Sequence, residues 1–109
     1  MPWTLQDNVV LCTVVVVFSG RLTKEEGEAS SQAFRSAVES EPSNVTWDVR
    51  HMTGYESGAR IAWQKQLWPV RSHLKSIRVV GGNTLVRLGA TTLGLALGIP
   101  ISFSEDQNG

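Results

Sequence analysis

Cysteine is almost missing from this chain. Cys12 stands alone among 109 residues, so no intrachain disulfide can form, and a reducing, cytoplasmic setting is expected. Histidine occurs only as His51 and His73, and no Cys, His or carboxylate spacing matches a metal site. No cofactor is expected either, because the phosphate-binding and dinucleotide fingerprints are both missing. The apolar run Val9–Phe18 is too short to span a bilayer, and Asp7 precedes it where a secretory signal would carry positive charge. Formal net charge is zero, and basic residues do not interleave with aromatics, so nucleic acid is not an expected partner. Repeats, linkers and low-complexity segments are also lacking. What remains is an ordinary globular composition, 41% hydrophobic and 18% charged, sufficient for one core. The expected organisation is a single domain over residues 1–104 and a polar tail over 105–109.

The charges that are present divide unevenly. Residues 1–49 carry three cations against seven acids, and residues 50–109 carry seven against three. Two solvated faces in mutual balance explain this, as does a basic face turned to a phosphate or an acidic partner.

Hydrophobic period supplies the elements. Trp3–Leu5, a turn at Gln6-Asp7-Asn8 and the valine-rich run to Phe18 read as a short and a long strand, with Ser19-Gly20 closing the second. Cys12 then falls inside the strand as a small buried hydrophobe. Thr23-Lys24-Glu25-Glu26 is a capping box opening a helix whose apolar stripe is Ala29, Ala33, Phe34, Ala37 and Val38. Glu41-Pro42 stops it. Val45–Val49 is a strand ending near Asp48. A second helix starts between Thr53 and Ser57, with Ala59, Ala62, Trp63, Leu67, Val70 and Leu74 facing inward and Pro69 interrupting it. Ile77–Val80 is a strand, Asn83 or Thr84 caps a third helix through Leu97, Gly98 closes it, and Ile99–Phe103 is the last strand. Strands alternating with helices imply an α/β fold. The expected form is a single mixed, largely parallel sheet of four to five strands carrying three to four helices.

That order, with Gly20-Arg21-Leu22-Thr23 at the first strand–helix junction, resembles the STAS domain, which includes the bacterial anti-sigma-factor antagonists and related stand-alone proteins. In the antagonists, an Asp-containing strand end leads into an Asp-Ser-Ser-Gly-type loop. The serine before its glycine is phosphorylated by a partner kinase. Here Asp48 matches the strand-end acid, Glu56 stands near the loop aspartate, and Ser57-Gly58 match the phosphoacceptor and its glycine. This loop has Glu-Ser-Gly, is one residue shorter from Asp48 and carries Tyr55. The Trp63, Trp68 and Pro69 set is closer to the divergent stand-alone group. The resemblance implies a non-catalytic regulatory module with a protein partner, a kinase or an anti-sigma-like protein.

The candidate switch is therefore Ser57, with Asp48, Thr53, Glu56, Gly58 and Arg60 as its loop and a phosphate pairing with Arg50 or Arg60. Ser57 also has structural readings. It can be a plain N-cap, or it can sit in the second turn if Thr53-Gly-Tyr-Glu56 is a capping box. Gly81, Gly82, Asn83 and Thr84 form a strand–helix turn able to cradle an anion or simply to reverse the chain. The alternative function is carriage or sensing of an apolar, lipid-like or anionic small molecule between the second and third helices, near Gly81–Thr84. An Asp48–His51–Ser57 triad has no Gly-x-Ser-x-Gly elbow to present it, so an enzyme is not expected. The third helix, apolar around much of its surface, reads as buried against the sheet or as a partner face. Oligomeric state is not legible.

Overall fold

Asn8 decides where the chain first reverses. In a computed structural model, which describes residues 3–8, 10–39 and 42–104, the Asn8 Oδ1 accepts the Leu11 amide at 3.1 Å, an Asx-type turn. Cys12 follows with φ at +53°. The turn thus includes residues 10–12, later than the polar run Gln6–Asn8. Strand β1 is Trp3–Asn8 and β2 is Thr13–Leu22, antiparallel, with Trp3 opposite Phe18 and Asn8 opposite Thr13. Cys12 is half-buried in the turn, not in the strand, and Val10 and Leu11 are exposed. The polar tail at 105–109, Val9 and the Glu41 of the helix stop lie outside the described residues.

Helix α1 (Lys24–Val38) opens on the expected capping box. The Thr23 amide donates to the Glu26 Oε1 at 2.9 Å, and the Glu26 amide donates to the Thr23 Oγ1 at 3.3 Å. Its inward face differs from the alanine stripe. Gly27, Ser30, Ser31, Phe34 and Val38 are buried, whereas Ala29 is exposed. The reason is proximity: a Cβ added at Gly27 would stand 2.5 Å from the Ala59 Cα, so the first turn of α1 lies directly on a neighbouring backbone.

Strand β3 (Ser43–Tyr55) is the longest element of the sheet. Helix α2 (Ser57–Leu67) stops where Pro69 predicts, and a 3-10 segment over Trp68–His73 leads into β4 (Leu74–Val80). Helix α3 (Thr84–Leu97) is capped by Asn83, whose Oδ1 accepts the Val86 amide at 2.9 Å, and ends on Gly98 at φ +69°. Strand β5 (Ile101–Ser104) closes the sheet.

The strand order is β1-β2-β3-β4-β5, antiparallel at the first pair and parallel thereafter. Right-handed crossovers that all step the same way put every helix on one face. Burial agrees: Val14, Val16, Val45, Trp47, Ile77 and Val79 join the core with Phe34, Trp63, Leu67 and Leu93. Side chains one residue out of phase, such as Thr4, Gln6, Ser76 and Ser102, are exposed on the opposite face. The fold is thus two layers, helices over a mixed sheet. No helix among the described residues is long and apolar enough to cross a membrane.

Candidate functional site

The segment expected to be a loop after Asp48 is strand. Strand β3 continues seven residues past Asp48 to Tyr55, because its far half pairs with Ser19–Leu22 through two register shifts. Only Glu56 separates β3 from α2. Asp48 and Ser57 therefore lie at opposite ends of an extended run whose strand part alone, Asp48 to Tyr55, spans roughly 23 Å at about 3.3 Å per residue. This corrects the idea of one loop spanning Asp48 to Arg60, and it separates the members of the paper triad.

Asp48 is buried and occupied. Its Oδ2 accepts from the Arg50 Nη2 at 2.7 Å, and its Oδ1 accepts from the Arg50 Nε at 3.0 Å and the Arg50 amide at 3.2 Å. The Arg50 guanidinium holds this carboxyl below the usual carboxylate range, outweighing the upward push of burial, with smaller help from the His51 charge. The pair fixes the first irregularity of β3, and the Arg50 stem leans on Gly81. Arg50 is thus committed to Asp48 and remote from Ser57. It is not the phosphate partner first envisaged.

Around Ser57 the local chemistry is different. Ser57 is the first residue of α2 and exposed, Glu56 is the N-cap residue, and Glu56 makes no side-chain cap to its own helix. Thr53 stays in β3, so the Thr53–Glu56 capping box does not form and Ser57 is not the N-cap. The Glu56 carboxylate instead reaches across to α1, where its Oε1 accepts the Lys24 amide at 2.7 Å. The Glu56 amide donates to the Leu22 carbonyl at 2.9 Å. Two helix N-termini are thereby bolted side by side, with the Lys24 stem over Gly58, where a Cβ would meet its Cγ at 2.8 Å. Among the described residues no hydrogen bond engages the Ser57 hydroxyl, or the amides of Ser57 and Gly58. Both helix dipoles present their positive ends here. Arg60 follows Ser57 by one helical turn and is half-buried.

Since Glu56 caps α1 with a charge-assisted bond, Glu56→Ala is expected to lower stability by about 0.5–2 kcal/mol. A urea melt with an unchanged denaturant slope reads it, and Glu56→Gln, which retains an acceptor, is expected to lose less.

The second candidate is an ordinary turn by its hydrogen bonds. The Gly81 amide donates to the Ser104 carbonyl at 2.7 Å, the Gly81 carbonyl accepts from the Arg87 Nε at 3.0 Å, and the Asn83 Nδ2 donates to the Thr53 carbonyl at 3.1 Å. Gly81 and Gly82 have φ of +74° and +94°, which explains the pair of glycines. A Cβ on Gly82 would also press the Val49 Cγ2 at 2.9 Å. Thr84 begins α3 and is exposed.

A cleft of about 70 Å³ does lie between α2 and α3, lined by Trp47, Met52, Tyr55, Arg60, Trp63 and Gly89 among others. Gly81, Gly82, Asn83 and Thr84 do not line it. The Tyr55 hydroxyl rests on Gly89, where a Cβ would stand 2.6 Å from it. Trp47 is buried, and its indole N–H has no acceptor among the described residues. Sequence reasoning could not find that orphan donor or the Glu56–Lys24 bond, because both depend on distant chain. The one available signal was a glycine inside a helix, as at Gly27 and Gly89, which costs helix propensity and marks close approach.

No family model matches the chain, and no curated protein matches its sequence. Among solved structures, an uncharacterised protein of the DUF3478 family from Shewanella loihica PV-4, described as having a SpoIIAA-like fold, superposes with a TM-score of 0.72 at 16% identity. The match covers 97% of this chain and 86% of that one. At such identity the likeness speaks for architecture. The chain has a SpoIIAA-like fold, the architecture of the STAS anti-sigma-antagonist group.

Proposed function

We propose that the protein is a non-catalytic regulatory module that engages a protein partner through the paired starts of α1 and α2, with Ser57 as its phosphorylation switch. One observation carries this reading: in a SpoIIAA-like fold, an exposed serine hydroxyl opens α2 with no hydrogen-bond partner among the described residues. A phosphate there would add about −1.5 to −2 charge beside two positive helix ends. Lys24, whose stem packs on Gly58, and Arg60, one turn on from Ser57, are the basic residues of this helix start, and Glu56 is already withdrawn toward the Lys24 amide. The switch then changes what this surface attracts without unfolding it. Phosphopeptide mass spectrometry of the protein purified from its native cells is expected to find phosphate on Ser57. Capture of a kinase or anti-sigma-like partner is expected to be lost in Ser57→Asp and kept in Ser57→Ala. Phosphate only on other residues, or on none, would remove the switch.

The α2–α3 cleft supports a second reading, a carrier or sensor of a small apolar molecule. Its apolar walls, which include the rings of Trp47 and Trp63, suit a small apolar ligand. Size limits it, since benzene already needs a cavity of about 150 Å³ against about 70 Å³ here. Native mass spectrometry of the purified protein distinguishes the readings: a retained small molecule favours the carrier, and a bare chain with a captured protein favours the regulatory module.

A further inference from the structure

The outward face of α3 carries no charge. Its exposed residues are Thr84, Leu85, Leu88, Thr91, Thr92, Leu95 and Ala96. The three leucines are 53%, 61% and 79% exposed, so the apolar character expected to bury this helix is spent partly on solvent. Leu85, Leu88, Thr92 and Leu95 follow one another by three, four and three residues, the spacing of a coiled-coil seam. Small residues flank that seam, which lets another helix come close.

We propose that this face is the contact through which two copies of the chain associate, α3 against α3, antiparallel. The spacing is palindromic about Ala90. An antiparallel two-fold pairing sets Leu85 opposite the second copy's Leu95 and Leu88 opposite its Thr92. A two-fold contact needs one patch that complements itself, and this stripe does. Antiparallel helices also bring opposite dipole ends together. Charge favours the same occupant. A charged protein partner would have to bury groups that α3 cannot pair, whereas a second α3 brings none. A lipid surface is favoured by helices rich in Lys and Arg on the polar face. The only charge on α3 is Arg87, held by the Gly81 carbonyl at 3.0 Å and lying over the Phe103 ring at 5.4 Å. Fourteen helical residues extend about 21 Å. Two such helices bury on the order of 1,000 Å² in all, the low end for a specific contact. An area of that size fits a weak, reversible dimer.

Sedimentation velocity from low micromolar to submillimolar protein tests this. The expected result is a reversible rise to twice the monomer mass. Leu95→Glu, at an exposed position that leaves the circular dichroism spectrum unchanged, is expected to weaken association about hundredfold, because the two-fold repeats the loss. The double variant Leu85→Lys/Leu95→Glu is expected to restore the dimer, since only antiparallel pairing sets each lysine opposite a glutamate of the second copy. A monomer across the whole range would overturn the proposal. So would a dimer indifferent to Leu95→Glu, or a monomer that instead pellets with phosphatidylcholine or phosphatidylglycerol vesicles through α3.

Discussion

Replacing Trp63 by alanine is expected to lower the unfolding free energy by about 3–5 kcal/mol. Trp63 is 4% exposed and stands at the centre of an aromatic cluster. Its ring centroid lies 5.1 Å from Phe34, 5.4 Å from Trp47 and 5.7 Å from Phe18. It therefore joins α1, α2 and the inner face of the sheet at one point. Its indole N–H donates to the Ser30 Oγ at 3.0 Å, and Ser30 is fully buried. Alanine would leave a void against the rigid β2–β3 pair and strip Ser30 of one partner. A small domain has about 5–15 kcal/mol in total, so the variant should be marginal at 25 °C. Ser30→Ala separates the two effects. It keeps the Trp63 ring and removes its acceptor, leaving the buried indole N–H unpaired, for a cost of about 1–3 kcal/mol. Urea midpoints at constant slope measure both. A loss below about 1 kcal/mol in the alanine variant would mean that the cluster does not organise the core.

Elements written in local chemistry were legible in the sequence. The Thr23–Glu26 box, the Asn83 cap, the left-handed Gly98 and the stop before Pro69 each act within a few residues, and all appear where they were read. The alternation of strands and helices then implied a largely parallel sheet, because parallel neighbours need crossovers. Features decided by distant pairing were not legible. The hairpin turn moved because a uniform run of valines gives no register, and Asn8 alone set it. Strand β3 was cut short at Asp48 because Arg50, His51 and Gly54 look like loop. The β2 partners of His51 and Gly54, Ser19 and Arg21, lie more than 30 residues earlier in the chain and draw this segment into the sheet. On α1 the expected stripe holds at Phe34 and Val38, yet the close approach of Ala59 buries Gly27, Ser30 and Ser31 and leaves Ala29 exposed. The candidate site divides in the same way. Ser57 at a helix start was readable from its neighbours. The diversion of Glu56 to Lys24 and the capture of Asp48 by Arg50 required the folded chain.

Removing the guanidinium from Arg50 is expected to give a loss that depends on pH, and the dependence identifies its cause. The Asp48 side chain is 3% exposed and that of Arg50 is 38% exposed, so the pair is screened on one side only. Arg50→Met keeps a stem to lean on Gly81 but leaves the carboxylate with acceptors unfilled, for about 1–3 kcal/mol at pH 7. In the native chain the Arg50 hydrogen bonds hold the Asp48 pKa below its ordinary value. A depressed carboxylate contributes stability that is complete above the unfolded pKa, about 3.9, and is lost as pH falls through the folded value. In Arg50→Met the largest lowering influence on Asp48 is gone while burial, which raises its pKa, and the residue-50 amide bond, which lowers it, both stay, so the acid limb of that variant should begin at higher pH. Below both folded values the carboxyl is neutral in each protein, and the charge-dependent part of the difference disappears. Urea midpoints for the two proteins should therefore lie furthest apart near neutrality and converge toward pH 3. Asp48→Asn should show the weakest acid response of the three, since it has no proton to gain at this position. A gap between wild type and Arg50→Met that stays constant from pH 7 to pH 3 would show that the loss does not come from the bond between Arg50 and the ionised Asp48.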